Sequence, residues 1–208
     1  MTGLLICTAL GIEARAVRRG LAASKGVQVI RTGPGVRLAA RAAADLPGYG
    51  VLAVVGFGGA IDPSLRPGDV LVASEVRFGD RVFACASAPP LAEELARAGL
   101  PARTGRLLTC DHVVAGAERA HLAAGGAHAV DMETGPLAAA CAGRPLAAVR
   151  VIVDTPGAPL LSLATLRGGA LAHRALRRIG PVLTRWAAGI DPRMVREIRF
   201  SDGKEVRS

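Results

Sequence analysis

Apolar residues fall along the chain in two alternating arrangements. Short runs rich in Val, Leu and Ile predict strands at Leu4–Ala9, Val27–Arg31, Val51–Val55, Asp69–Ser74 and Ala147–Val153, each too short for a stable helix. Between them, Glu13–Leu21, Val36–Leu46, Leu91–Ala98, Thr134–Ala142 and Ser162–Ala188 space their apolar residues as helices do, with Gly180-Pro181 expected to break the last one. Strands alternating with helices argue for an α/β layered domain around a mainly parallel sheet. No internal repeat and no long polar linker divides the chain. Residues 1–190 are therefore expected to form one domain, followed by a charged tail at 191–208.

Composition narrows this. Half of the residues are apolar but only 3% are aromatic, so the core must be built from Ala, Val, Leu and Ile. Such residues suit buried strands covered by Ala-rich helices. The run Leu4–Leu10 lacks a charged flank before it and is interrupted by Glu13 and Arg15, which reads as a first strand and not a signal peptide. No stretch approaches the ~18 apolar residues of a spanning helix. Cys7, Cys85, Cys110 and Cys141 form no CxxC pair; Cys7 and Cys141 sit in apolar runs and are expected as buried thiols. A cytoplasmic protein is the expectation.

The formal charge is +9, and the stretch from Thr155 to Ser208 carries +6 of it. All basic residues except Lys25 and Lys204 are Arg, which is a compositional bias more than a binding signal. No basic stripe interleaved with aromatics appears, so nucleic acid is not an expected partner.

The glycines and acids cluster at strand ends, where sheets of this kind bind ligands. These positions are Gly33–Gly35, Gly56–Gly59, Asp131–Glu133 and Asp154. Gly33-Pro34-Gly35 is not a dinucleotide fingerprint, since Leu38 stands where the third glycine belongs. Gly56-Phe57-Gly58-Gly59 lacks the Lys-Ser/Thr of a phosphate loop. His112, His121, His128 and His173 have no metal-ligand spacing, and no GxSxG elbow is present. Neither metal nor cofactor is expected. Taken singly, Glu13, Asp131, Glu133 and Asp154 could each be an acid capping a helix start.

Taken together, four blocks resemble the nucleoside phosphorylase and nucleosidase superfamily. They are Ala9-Leu10-Gly11-Ile12-Glu13-Ala14; Thr32-Gly33-Pro34-Gly35; Gly56-Phe57-Gly58-Gly59-Ala60 through Leu65-Arg66-Pro67-Gly68-Asp69-Val70; and Val130-Asp131-Met132-Glu133 with Arg150-Val151-Ile152-Val153-Asp154. The resemblance implies a three-layer αβα sandwich with a central mixed, mostly parallel sheet, assembled as a homodimer or larger homo-oligomer. It implies that Glu13 prepares an attacking water and that Asp154 meets the purine. Met132 would lie against the ribose and Glu133 would accept from its hydroxyls. Phe57, Gly58, Gly59, Asp131, Val113 and Val114 complete the expected substrate-binding set, the two valines standing where methylthioadenosine/S-adenosylhomocysteine nucleosidases carry a base-stacking aromatic.

Those roles suit the chemistry of N-glycosidic cleavage. The departing purine gains negative charge and the sugar gains positive charge, so an acid at N7 and a carboxylate orienting water serve both ends. A protonated Asp154 donates to N7 while its other oxygen accepts from the 6-amino group, which favours adenine. Glu13 would repel phosphate, favouring hydrolysis, although Arg15, Arg18 and Arg19 stand nearby.

The segment after Ser74 is shorter than in the methylthioadenosine enzymes, and Val153 replaces a polar residue before the acid. The compact form, with a Thr-Pro segment after Asp154, is similar to hopanoid-biosynthesis nucleosidases that release adenine from adenosylhopane. For such a substrate a transient contact with an anionic membrane, at the inner face, is a further expectation. Ser162–Ala188 interleaves Leu163, Leu166, Leu171, Leu176, Ile179, Val182, Leu183 and Trp186 with Arg167, Arg174, Arg177, Arg178 and Arg185. Either it lies on lipid or, the plainer reading, it covers the sheet with its arginines solvated.

Overall fold

The computed structural model describes residues 3–21, 24–155 and 163–190, with side chains in the last stretch from 171 onward. Eight strands and six helices follow in the order β1 (Leu4–Thr8), α1 (Gly11–Leu21), β2 (Val27–Arg31), α2 (Val36–Ala43), β3 (Val51–Ala60), β4 (Val70–Phe78), β5 (Arg81–Ala84), α3 (Ala88–Arg97), β6 (Ala102–Thr109), α4 (Gly116–Ala124), β7 (Ala129–Asp131), α5 (Thr134–Ala139), β8 (Leu146–Asp154) and α6 (Leu163–Ala188).

The strands form one mixed sheet in the order β2-β1-β3-β7-β6-β4-β5, with β8 pairing both β3 and β4. The β1–β2, β1–β3, β3–β8, β4–β6 and β6–β7 ladders are parallel, whereas β3–β7, β4–β5 and β4–β8 are antiparallel. The expected mostly parallel α/β sheet is what forms. It also curls: β3, β8, β4, β6 and β7 pair in a closed circuit, and β1 and β2 extend from β3. Leu52, Val55, Val72, Val149, Val151 and Ile152, on three of the strands of that circuit, have almost no exposure.

Four elements are additions to the sequence reading: β5, β6, α4 and β7. Gly56–Gly59 is a correction of a different kind. It is not a loop after β3 but the second half of that strand, held in register by β8, with Gly56 opposite Arg150 and Gly58 opposite Ile152.

Gly180-Pro181 does not break α6, which runs through Pro181. Proline lacks the N–H that would close onto the Arg177 carbonyl. That carbonyl faces Gly20 of α1, where a Cβ would stand 1.8 Å from its oxygen. Gly180 is in turn tight against Val17 and Leu21, so the two helices cross at their glycines. We expect Gly20→Ala to destabilise the fold by at least ~2 kcal/mol, because relieving a backbone clash means separating the helices. Urea unfolding tests this; a change below ~0.5 kcal/mol, the size of an ordinary surface substitution, would refute the crossing.

From Ala172 onward the apolar face of α6 is spent on packing, whereas Leu171 is half exposed and the side chains of Leu163, Leu166 and Arg167 lie outside the described residues. Leu176, Ile179, Val182, Leu183 and Trp186 are buried, while Arg174, Arg177, Arg178 and Arg185 are exposed. These residues therefore cover the sheet and α1, and they are not free to enter lipid. Among the described residues, no helix is long and apolar enough to cross a membrane. Cys7 and Cys141 are buried free thiols, and burial pushes the Cys7 thiol up to about 12.

Candidate active site

A cavity of about 270 Å³ opens at the ends of β1, β3, β7 and β8. Its walls include Glu13, Phe57, Gly58, Gly59, Val113, Val114, Asp131, Met132, Glu133 and Asp154, so residues from five separate stretches of sequence meet there. That volume is at the lower edge of the roughly 300–1,000 Å³ common for small-molecule sites. A larger cavity of about 620 Å³ lies between α3 and the end of α6. Among the described residues its one carboxylate, Glu94, is paired with Arg97 and lies 3.6 Å from Arg185, whereas several acids converge on the smaller cavity.

Glu13 sits in the first turn of α1 and is 2% exposed. Its two oxygens accept from the Leu10 N–H at 2.8 Å and the Phe57 N–H at 2.7 Å. Burial raises its carboxyl above the ordinary glutamate range, offset in part by those two N–H groups and the Arg150 cation, while Glu133 adds to the rise. A carboxylate with four lone-pair sites still has two to offer a water.

Arg150, in the middle of β8, is 1% exposed and is ion-paired with Asp131. It also donates to Thr134 Oγ1 at 2.5 Å. Burial works against its charge, but Asp131, Glu133 and Glu13 outweigh that, so the guanidinium holds its proton more tightly than usual. The facing Gly56 leaves the necessary room, since a Cβ there would lie 2.5 Å from Arg150 Nη1 and 2.7 Å from Glu13 Oε1. The glycines of β3 thus make space for buried charge beside the backbone.

Asp131 is deeply engaged. Thr109 Oγ1 donates to it at 2.6 Å, the Thr134 N–H at 3.1 Å, and the Thr134 hydroxyl and Arg150 complete its partners. It therefore fixes the turn that presents Met132 and Glu133. Glu133 reaches across to α2, where Oε1 accepts from the Gly35 N–H at 2.7 Å. Gly35 has φ +84°, a conformation that glycine adopts without strain and that aims this N–H.

Asp154 ends β8, where the β3–β8 register slips so that Gly59 faces Asp154 and Val153 is the extra residue. Such a bulge re-aims the side chain that follows it. Asp154 is 4% exposed and ion-paired with Arg119 of α4. Arg119 also donates through Nε to the Val114 carbonyl at 3.1 Å and through Nη1 to the Ala60 carbonyl at 3.2 Å. A Cβ on Gly59 would lie 3.0 Å from Asp154 Oδ1 and 3.2 Å from Arg119 Nη2.

The two valines part company: Val114 is buried against Ile61 and Val130, while Val113 is 61% exposed at the rim beside Leu10. His112 joins that rim, bridging Asp111 at 2.7 Å and Glu118 at 2.8 Å, and its hydrogen bonds to those two acids raise its imidazole above the usual range. Arg119 and His112 are site residues that sequence reasoning missed. Arg119 is one of many arginines, on a short Ala-rich helix, and nothing local marks it. Arg15, Arg18 and Arg19 lie on exposed parts of α1 or its rim and none lines the cavity; Arg18 Nη2 donates to the Val29 carbonyl at 2.6 Å.

The curled sheet defines an α/β domain with an acid-lined cavity near small-molecule size at its strand ends. The chain belongs to the phosphorylase superfamily, whose family model matches residues 11–166. Among solved structures it is similar to a 5′-methylthioadenosine/S-adenosylhomocysteine nucleosidase from Colwellia psychrerythraea in complex with adenine, at 22% identity and a TM-score of 0.71, covering 90% of this chain and 95% of that one. It is also similar to futalosine hydrolase of Helicobacter pylori, at 16% identity and a TM-score of 0.74, covering 91% and 98%. A Campylobacter jejuni 5′-methylthioadenosine/S-adenosylhomocysteine nucleosidase gives 16% identity and a TM-score of 0.75, covering 91% and 100%. At these identities the likeness concerns the fold. No curated protein sequence matches the chain.

Proposed function

We propose that the protein hydrolyses the N-glycosidic bond of a 5′-substituted adenosine and releases adenine. The observation that carries this is the meeting of Glu13, Glu133 and Asp154 on one cavity from three distant parts of the chain. Asp154 gives a proton to purine N7 as the C1′–N9 electron pair moves to the base. Glu133, held by Gly35, accepts from the ribose hydroxyls. Glu13 orients a water at C1′ and takes its proton as the C1′–O bond forms. Each proton transfer contributes roughly 10²–10⁴ in rate.

The arginines bear on the choice between water and phosphate. Arg150 is committed beneath Glu13 to Asp131 and Thr134, and Arg119 to Asp154 and two backbone carbonyls. With Arg15 outside the cavity, a dedicated phosphate clamp is lacking among the described residues, which supports hydrolysis.

The 5′ group is the finer part of the proposal. The open rim at Val113 and Leu10 supports an apolar substituent, and we propose an adenosylhopane-like nucleoside ahead of methylthioadenosine. The test is base release by the purified protein, with and without phosphate. Its panel holds a lipid-linked adenosine, methylthioadenosine, S-adenosylhomocysteine and a 6-oxopurine nucleoside. Adenine freed without phosphate, fastest from the apolar substrate, is expected. Release only with phosphate would make the protein a phosphorylase, and binding without release would make it a nucleoside-binding protein.

A further inference from the structure

The acid at the base end of the cavity does not stand alone. Arg119 comes from α4, 35 residues before Asp154, and its guanidinium donates to Oδ2 of that carboxylate. Its remaining contacts explain why it stays there. Nε and Nη1 are anchored on the Val114 and Ala60 carbonyls, so the fork is fixed on three sides and Nη2 is left pointing at Asp154. Both side chains are withdrawn from water, with relative exposures of 10% for Arg119 and 6% for Asp154. Holding an arginine this way in a cavity wall has an energetic cost, because burial of a guanidinium is unfavourable unless its partners are well placed. Arg119 is the buried residue of α4, and Nη2 is the nitrogen that its two backbone carbonyls leave for Asp154.

The chemistry of a carboxylic acid gives the pairing a use. An arginine can donate but cannot accept, and it stays charged at any working pH. An oxygen that already accepts from it is a poor place for a proton. We infer that Arg119 is a positioning residue for Asp154: it confines the transferable proton to Oδ1 and stabilises the carboxylate that remains after transfer. This inference rests on the reading of Asp154 as the acid. In the step itself, Asp154, a carboxylate in its pair with Arg119, first takes a proton from water on Oδ1 as substrate binds. That proton then leaves Oδ1 for purine N7 and the C1′–N9 pair goes to the base. The water adds to C1′ and its proton passes to Glu13, so Asp154 ends the step as a carboxylate held by Arg119. The same arrangement leaves Oδ2 as an acceptor only, suited to an N–H donor on the base. A cation fixed where negative charge develops needs no reorganisation during the reaction, which is where such groups are most effective.

The test compares two leaving groups. One substrate is the 5′-substituted adenosine; the other is the matching 4-nitrophenyl riboside, whose phenolate departs without a proton. Arg119→Gln is expected to lower kcat on the adenosine by roughly 10- to 100-fold, the range for a hydrogen bond to a charged group. On the nitrophenyl substrate, which takes no proton from Asp154, the loss should be smaller than on the adenosine by at least about fivefold, the mark of coupling to the proton transfer. Arg119→Lys, which keeps the cation, should recover part of the loss. A structural role would depress both substrates alike, and that result would overturn the inference. If Arg119→Gln does not fold, Arg119→Lys and Arg119→Met are measured in the same way. The cycle with Asp154→Asn is read on the adenosine alone: Arg119→Gln should add no more than about twofold to that variant, and fully additive losses would overturn the inference. Asp154→Asn also separates the two levels of the reading. Selective loss on the adenosine confirms the acid while Arg119 is judged on its own result. Wild-type protein that cleaves neither substrate removes the proposed function and this inference with it.

Discussion

Asp154→Asn is expected to slow adenine release by at least ~100-fold, the lower bound for removing a general acid. Asparagine keeps the shape of the side chain and can accept from Arg119 through its amide oxygen, but it has no proton to give N7. The substitution also discharges a buried ion pair. Deleting one partner of such a pair outright costs roughly 3–5 kcal/mol. The amide preserves an acceptor, so a smaller loss of about 1–3 kcal/mol is expected for the uncompensated Arg119. Thermal unfolding should therefore be run beside the kinetics, and rates compared at a temperature where both proteins are folded. A folded Asp154→Asn protein with undiminished turnover would show that Asp154 is not the acid.

Glu13→Gln carries the second large effect. An amide cannot take the proton of the attacking water, so hydrolysis should fall to the background of the assay. The sequence alone suggests that the variant binds ligand unchanged, because an amide still forms hydrogen bonds. The structure predicts a side effect. Both Glu13 oxygens accept backbone N–H groups, from Leu10 and from Phe57. Glutamine offers one oxygen, so its NH2 must face one of those donors, at a cost of about 1–3 kcal/mol. Loss of hydrolysis with a modest fall in stability is the expected pair of results; full turnover would remove Glu13 from the mechanism. The wild-type pH profile gives an independent check. The base works only when ionised, and burial raises the Glu13 carboxyl. The rate should therefore rise with pH along a limb lying above the ~4.3 of a free glutamate. In kcat/KM, which reports the free enzyme, a limb at or below that value would mean that a different group is the base.

The acids of the site were legible in the sequence for a physical reason. Glu13, Glu133 and Asp154 stand where apolar strands end, and a charge just past a buried run has to be solvated, paired or used. The strands Leu4–Thr8 and Leu146–Asp154 were legible because residues buried on both faces leave runs of Val, Leu, Ile and Ala, interrupted in β8 by the buried Arg150. Alternation of such runs with helical spacing was enough for the layered α/β fold.

Tertiary structure decided the rest. β6 mixes Arg103, Thr104, Gly105 and Arg106 with few apolar residues, and β7 has only three residues, so neither carries a periodicity of its own; neighbouring strands impose the extended form. The glycines at 56, 58 and 59 read locally as a loop, because glycine is a poor strand former. They become strand because β8 pairs with them, and they are glycines because Arg150, Glu13, Asp154 and Arg119 crowd that backbone. Pro181 reads as a helix break, yet the carbonyl it leaves unbonded in α6 rests against Gly20. Arg119 is the clearest case. By itself it is an arginine on a short Ala-rich helix, and its meaning depends on Asp154, Val114 and Ala60 arriving around it. The chain sequence determined which segments seek the core and where acids emerge from it; only the closing of the sheet determined which charges meet, because Coulomb and hydrogen-bond energies depend on distances that no local pattern encodes.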